Sequence, residues 1–178
     1  MPVGSPWERR PTLTMWVYDS VLGAAAGRVR LDALVRRRSV DAREAVTVTW
    51  VPGAHRPRID ILRRTPALDT SPDDPVLARL VERLTVPSAE TTASEPLREL
   101  AARLDGTGID QVLLADMRTA LEPGRSALLV FAVSADLDAV RAVIERGRAR
   151  GDVRLLHAFL AADAEPVLRR ALGAGPDR

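Results

Sequence analysis

The stretch SALLVFAV, residues 126–133, constrains the fold more than any other part of the sequence. It contains the longest uninterrupted apolar run, from Ala127 to Val133, which is far too short to cross a bilayer. A strand that is apolar on both faces is typical of the centre of a sheet. We therefore predict a central β-strand here, in a chain whose 178 residues suffice for one domain with its own core.

The spacing of apolar residues predicts the other elements. Alternation indicates strands over residues 13–19, 45–51, 58–64 and 152–160. Helical spacing indicates helices over residues 21–38, 76–84, 97–104, 109–121, 136–150 and 166–172. Outside a polar segment, the first six elements match the strand-helix-strand-strand-helix-strand order of a ferredoxin-like α+β sandwich, an antiparallel sheet with helices on one face. The remaining helix, strand and helix are additions. We expect the added strand to attach parallel to the strand before it by a right-handed crossover.

The polar segment, residues 65–94, is rich in Pro, Ser, Thr and Asp and surrounds one amphipathic helix, with Ser71 as its predicted N-cap. We interpret it as an insertion or connector within a single domain, residues 12–173. Residues 1–11 contain three prolines and show no apolar period, which predicts a flexible arm. Residues 174–178 are predicted to be a flexible tail.

Charge and composition exclude several classes of function. All 26 basic residues are arginine, the net charge is only +2, and cysteine is absent, which excludes disulfides and thiolate metal sites. Residues 1–64 carry twelve arginines against six acids, and residues 65–110 carry four against nine. Aromatic residues make up 3% of the chain, too few for a row of stacking platforms, so we do not expect a nucleic-acid partner. With no leader pattern and no membrane span, a cytoplasmic protein is expected.

The basic stretch TWVPGAHRPRI, residues 49–59, is a candidate contact site. Pro52 and Gly53 predict a turn between two strands, which accounts for them without a ligand. His55, Arg56 and Arg58 are the candidate residues for contact with an anion or a protein partner, because arginine forks suit phosphate and carboxylate groups. A solvated basic rim is the simpler interpretation.

A second candidate site is a pocket at the sheet. Trp16, Tyr18 and His157 are its candidate residues, and His157 is expected to be partly buried because it lies on the same strand face as Val153 and Leu155. Small monooxygenases with ferredoxin-like folds enclose a pocket against their sheet. A lone histidine on an apolar face is nevertheless more often a hydrogen-bonded core residue.

The sequence offers no catalytic constellation. There is no glycine-rich phosphate loop and no nucleophile elbow, and the two histidines are too far apart in the chain to suggest a metal site. We therefore predict no catalytic residues, no metal and no cofactor, and lean away from an enzyme.

Two segments resemble a largely actinobacterial family of uncharacterised proteins, usually described as membrane proteins of unknown function. They are residues 14–59 and residues 106–133, the latter containing LEPGRSALLV. The likeness covers residues 12–64 and 104–172. In that family the two halves flank a glycine-rich hydrophobic hairpin, whereas residues 65–94 here are polar and acidic. The resemblance therefore implies the fold but neither a membrane span nor any site residue.

These observations favour a soluble, non-enzymatic regulatory or structural interaction domain that forms a homo-oligomer, because exposed sheet edges are commonly paired in dimers. Two alternatives stay open. One is a small-molecule-binding or monooxygenase-like pocket protein. The other is a peripheral binder of anionic surfaces, such as a membrane, through the basic first third.

Overall fold

The computed structural model describes residues 10–63, 75–85, 95–148 and 153–173. They form five strands: β1 (Thr12–Tyr18), β2 (Val40–Thr49), β3 (Arg58–Arg63), β4 (Ser126–Ala135) and β5 (Val153–Phe159). They also form six helices: α1 (Gly23–Arg36), α2 (Val76–Thr85), α3 (Glu95–Arg103), α4 (Gln111–Ala120), α5 (Leu137–Arg148) and α6 (Ala164–Gly173). The predicted α+β class is confirmed. The predicted cap Ser71, the predicted tail and all but two residues of the predicted arm lie outside the described residues.

The strands form one sheet in the order β3-β2-β4-β1-β5, and every pairing is antiparallel. β4 lies at its centre, as its two apolar faces predict. The prediction that the last strand attaches to β4 is wrong. Both sides of β4 are already paired, with β1 and with β2, so β5 joins the free side of β1 and places His157 opposite Thr14. β4 and β5 therefore run in the same direction with β1 between them.

β2 is longer than predicted, because it begins at Val40 and not at Ala45. Its register with β4 shifts between Asp41 and Ala42 and again between Ala42 and Glu44. Such a bulge adds a residue to one strand and breaks the period of two that reveals a strand in a sequence. From Glu44 onward the pairing with β4 is regular, so Glu44 lies on the same face of β2 as Val46.

Helices cover both faces of the sheet, so the prediction of helices on one face is wrong. One core joins Met15 and Leu129 to α2, α3, α4 and α6. The other joins Trp16 and Val130 to α1 and α5. The physical reason is that β1 carries large apolar or aromatic side chains on both faces, Met15 on one and Trp16 and Tyr18 on the other, so neither face can be left to solvent.

The helix predicted within residues 65–94 is confirmed as α2, and it belongs to the core. Leu77, Leu80, Val81 and Leu84 are all almost fully buried. They pack against the sheet and against α6. The rest of residues 65–94 lies outside the described residues.

α1 approaches the sheet closely because two glycines face Tyr18. A Cβ atom on Gly27 would lie 2.6 Å from the Tyr18 hydroxyl oxygen, and one on Gly23 would lie 2.3 Å from the Tyr18 Cβ. Neither distance is tolerated between non-bonded atoms. The small residues on the inner side of α1 are therefore required by packing, whereas those on its outer side are not.

We predict that Gly27→Ala lowers the free energy of unfolding by about 1–3 kcal/mol through overpacking. Alanine's better helix propensity alone would act in the opposite direction by about 1 kcal/mol. Because the nearest atom is the Tyr18 hydroxyl, the cost of Gly27→Ala should be smaller in a Tyr18→Phe background. Urea denaturation of the wild type, Gly27→Ala, Tyr18→Phe and the double variant measures this coupling. An equal cost in both backgrounds, or a stabilising Gly27→Ala, would show that the contact does not limit the approach of α1.

Candidate functional site

The basic stretch forms the exposed loop between β2 and β3. His55 and Arg56 are exposed, and Arg58 opens β3. Arg58 Nη2 lies 2.8 Å from Asp60 Oδ1, so the acid in its own strand already pairs with this guanidinium. The indole N–H of Trp50 donates to the carbonyl oxygen of Ala54 at 2.9 Å and fastens the loop. The three predicted residues therefore lie close together, on the loop and at the start of β3, and Arg58 is the one of the three whose charge is offset by an acid in the described residues.

The predicted pocket residues share one face of the sheet but do not line a common pocket. Trp16 and Tyr18 are buried beneath the helices of this face. His157 is exposed, so its predicted partial burial is wrong. It stands on the edge strand β5, and its ring makes a T-shaped contact with Phe159 at 5.9 Å.

A small cavity lies beside Trp16, lined on its strand side by Thr12 and Thr14. Its volume of about 10 Å³ is close to that needed for one water molecule. Thr12 Oγ1 and Trp16 Nε1 are buried and have no hydrogen-bond partner among the described residues. A hydroxyl and an indole N–H suit a bound water, whereas organic ligands generally occupy about 300 Å³ or more.

The sequence reasoning missed a buried carboxylate on the other face. Glu44 is only 2% exposed, although it lies among apolar side chains. Its Oε2 accepts a hydrogen bond from the backbone N–H of Leu77 at 3.2 Å. Its Oε1 lies 3.4 Å from Arg169 Nη2, and that guanidinium also donates to Glu165 Oε1 at 3.0 Å. Strand β2 is thereby joined to the first turn of α2 and to α6.

Burial raises the pKa of the Glu44 carboxyl above its ordinary value of 4.5. The hydrogen bond from Leu77 and the charge of Arg169 oppose that rise, because both favour the carboxylate. The negative charge of Glu165 adds to it. A carboxyl group held at the N-terminus of a helix is also favoured in its charged form by the helix dipole.

The space next to Glu44 is too small for a substrate. A cavity of about 10 Å³ is lined there by Glu44, Glu165 and seven apolar residues, among them Leu80 and Phe131. Both carboxylate oxygens of Glu44 are already engaged, one by the α2 backbone and one by Arg169. This arrangement suits a structural role, in which the carboxylate caps α2 and holds α6 against the sheet.

The position of Glu44 in this cluster could have been predicted from the sequence. Glu44 precedes Val46 and Val48 by two and four positions, which places all three on one face of a strand. The predicted strand began at residue 45 and so omitted it. Its partner Arg169 is 125 positions away, and no local pattern connects the two.

A third feature is an apolar surface on α1 and the residue before it. Leu22 is 77% exposed and Val29 is 66% exposed. Ala25 and Ala26 lie exposed between them. The opposite side of the same helix buries Ala24, Leu31 and Leu34 in the core. α1 is therefore apolar on both sides over much of its length. The outer apolar surface could have been found from the sequence, because the run VLGAAAGRV contains one charged residue only.

Comparison with known proteins adds no family, since no protein-family model, curated protein or solved structure matches the chain. The resemblance to the actinobacterial family stays a prediction. Within the described ranges, no helix is long and apolar enough to span a membrane. In the part of the chain that the structure describes, the His, Asp and Glu residues do not form a group of three or more that could hold a metal ion.

We predict that the contribution of Glu44 to stability falls as the pH rises. Its pKa is raised in the folded state, so the folded protein binds this proton more tightly than the unfolded chain does. The contribution is fully present below the ordinary value of 4.5 and is lost as the pH rises through the raised pKa. Glu44→Gln keeps an acceptor for the Leu77 N–H without the charge. The stability of Glu44→Gln relative to the wild type should therefore increase as the pH rises above the ordinary pKa of 4.5.

Chemical denaturation at several pH values measures that difference. Glu82→Gln, at an exposed position of α2, is the matched control for the loss of one negative charge. A difference for Glu44→Gln that is flat with pH, or that falls as pH rises, would contradict the raised pKa.

Proposed function

We propose that this protein is a non-enzymatic interaction domain that self-associates through the outer face of α1. The observation that carries the proposal is the exposure of Leu22 and Val29 on one side of a helix whose other side is packed in the core. Exposed apolar patches are typical of interaction surfaces.

The strand connections support a ferredoxin-like core within this domain. With β3, α2, α3 and α4 set aside as insertions between β2 and β4, the remaining elements β1, α1, β2, β4, α5 and β5 have the strand-helix-strand-strand-helix-strand order, with the strands arranged β2-β4-β1-β5. This assignment differs from the predicted one, in which β3 is a core strand and the last helix, strand and helix are additions. On this interpretation β3 is an addition at the edge of β2. The helices α2, α3, α4 and α6 then form an added layer on the second face.

The Glu44 cluster supports a structural and not a catalytic use of the interior. Its carboxylate accepts from the first turn of α2 and pairs with Arg169 within an apolar surround, and the adjoining cavity has room for about one water. The charged groups thus hold the layer of added helices in place. We therefore look for the function on the exposed surface of the domain and not in its interior.

The two alternative functions draw less support from the described residues. The cavity at Trp16 holds about 10 Å³, which does not favour a substrate pocket in this region. The exposed His55 and Arg56 are compatible with an anionic surface, but Arg58 beside them is paired with Asp60. Self-association is therefore the function that we put forward.

We predict that the wild type forms dimers in sedimentation equilibrium and that Val29→Arg is monomeric at the same concentrations. The introduced charge would have to be desolvated at the proposed interface, which weakens association by about 2 kcal/mol or more. Val112→Arg is the matched control, because Val112 is also on a helix, α4, and is 69% exposed. Its sedimentation should equal that of the wild type. A monomeric wild type would contradict the proposal, as would a Val112→Arg variant that dissociates while Val29→Arg does not.

A further inference from the structure

We propose that α1 pairs in antiparallel orientation with α1 of a second copy of this chain, about a twofold axis. This inference rests on the proposed self-association and names the partner, the surface and the register. A twofold interface uses the same patch on both subunits, so that patch must be complementary to itself. The outer face of α1 meets this requirement in the size of its side chains and in its charges.

The outer face is a continuous line along the helix. Leu22, Ala26, Val29 and Ala33 are spaced by four, three and four residues, which places them on one stripe at 3.6 residues per turn. The first three are exposed and Ala33 is partly buried. No charged residue falls within this line until Arg36.

The sizes along the line alternate in a way that suits antiparallel packing. If Leu22 lies against Ala33 of the second copy, the same register places Val29 against Ala26 of the second copy. Each large side chain then faces a small one, and symmetry repeats both contacts. Small residues opposite large ones allow helix axes to approach to about 8–10 Å.

The charges fit the same register. Asp19, whose side chain is 73% exposed, precedes the line by three residues, and Arg36 follows Ala33 by three residues. Asp19 lies in the connection between β1 and α1, outside the helix. The antiparallel pair places Arg36 of the second copy beyond Leu22, at the end of α1 that this connection precedes, and symmetry repeats the arrangement at the other end. Asp19 lies 3.5 Å from Arg125 of its own chain, and the proposed pair brings a second guanidinium towards it. Antiparallel helices in addition place the negative end of one dipole near the positive end of the other.

Other occupants of this face lack this match. An anionic lipid surface would be attracted by Arg28 and Arg36, but it would need neither an acid before the helix nor an alternation of large and small residues. A parallel pair of helices would place Ala26 against Ala26 and Leu22 against Leu22, and would bring like charges together. We therefore commit to the antiparallel pair.

Disulfide trapping tests the register, because the natural chain contains no cysteine. Proteins carrying Ala26→Cys and Val29→Cys are mixed in equal amounts and mildly oxidised. Facing positions fall within the Cα separation of about 4.4–6.8 Å that a disulfide requires. We expect the mixed dimer to exceed either homodimer by clearly more than the twofold ratio that random pairing gives. Val112→Cys mixed with Ala26→Cys is the control for random collision and should give little product.

A charge exchange provides the second measurement. Asp19→Arg and Arg36→Asp should each raise the dissociation constant of the dimer, by about tenfold at low salt, since each replaces two attractions by two repulsions. The double variant Asp19→Arg/Arg36→Asp should recover most of the lost affinity. Failure of the double variant to recover would overturn the proposed register.

The outcomes separate this inference from the proposed function. A monomer by sedimentation overturns both. A dimer that gives no mixed Ala26–Val29 crosslink overturns the antiparallel pair and leaves self-association standing through another surface. A dimer that crosslinks Ala26 to Ala26 in preference to Val29 shows a parallel pair and likewise overturns the inference.

Discussion

The whole structure depends on a pair of central strands, β1 and β4, that is buried on both faces. Every residue of β1 and the first seven residues of β4 are buried. Such a sheet can be stable in water only if helices cover it on both sides. This requirement explains why α1 and α5 lie on one face and four further helices on the other. It also explains why α2, which lies within an otherwise polar segment, is packed in the core.

The buried Glu44 shows how the second layer is fixed in position. Apolar packing is non-directional, so it holds α2 and α6 near the sheet without setting their orientation. The hydrogen bond to Leu77 and the contact with Arg169 are directional, and they join residues 33 and 125 positions away from Glu44 along the chain. Burying a carboxylate is costly, and the raised pKa of Glu44 reflects that cost. The cluster is best understood as a structural clamp.

Much of the fold could be predicted from local patterns. The run at Ala127–Val133 identified the central strand, and helical spacing identified α2 although its surroundings are polar. The strand order could not be predicted, because it depends on which edges are already occupied when β5 is placed. The bulge near Ala42 concealed the start of β2 and with it Glu44. The exposure of His157 followed from its position on an edge strand, which no local pattern reveals.

The central claim of this account is that α1 packs on both sides, with one face against the core and the other, as we propose, against a second copy of the chain. Amide resonances followed by NMR during serial dilution test it most directly. The account predicts concentration-dependent shifts that are confined to residues 19–36, with α4 around Val112 unchanged. Shifts concentrated in β3 or in the loop at His55, or spectra that do not change with concentration, would contradict it.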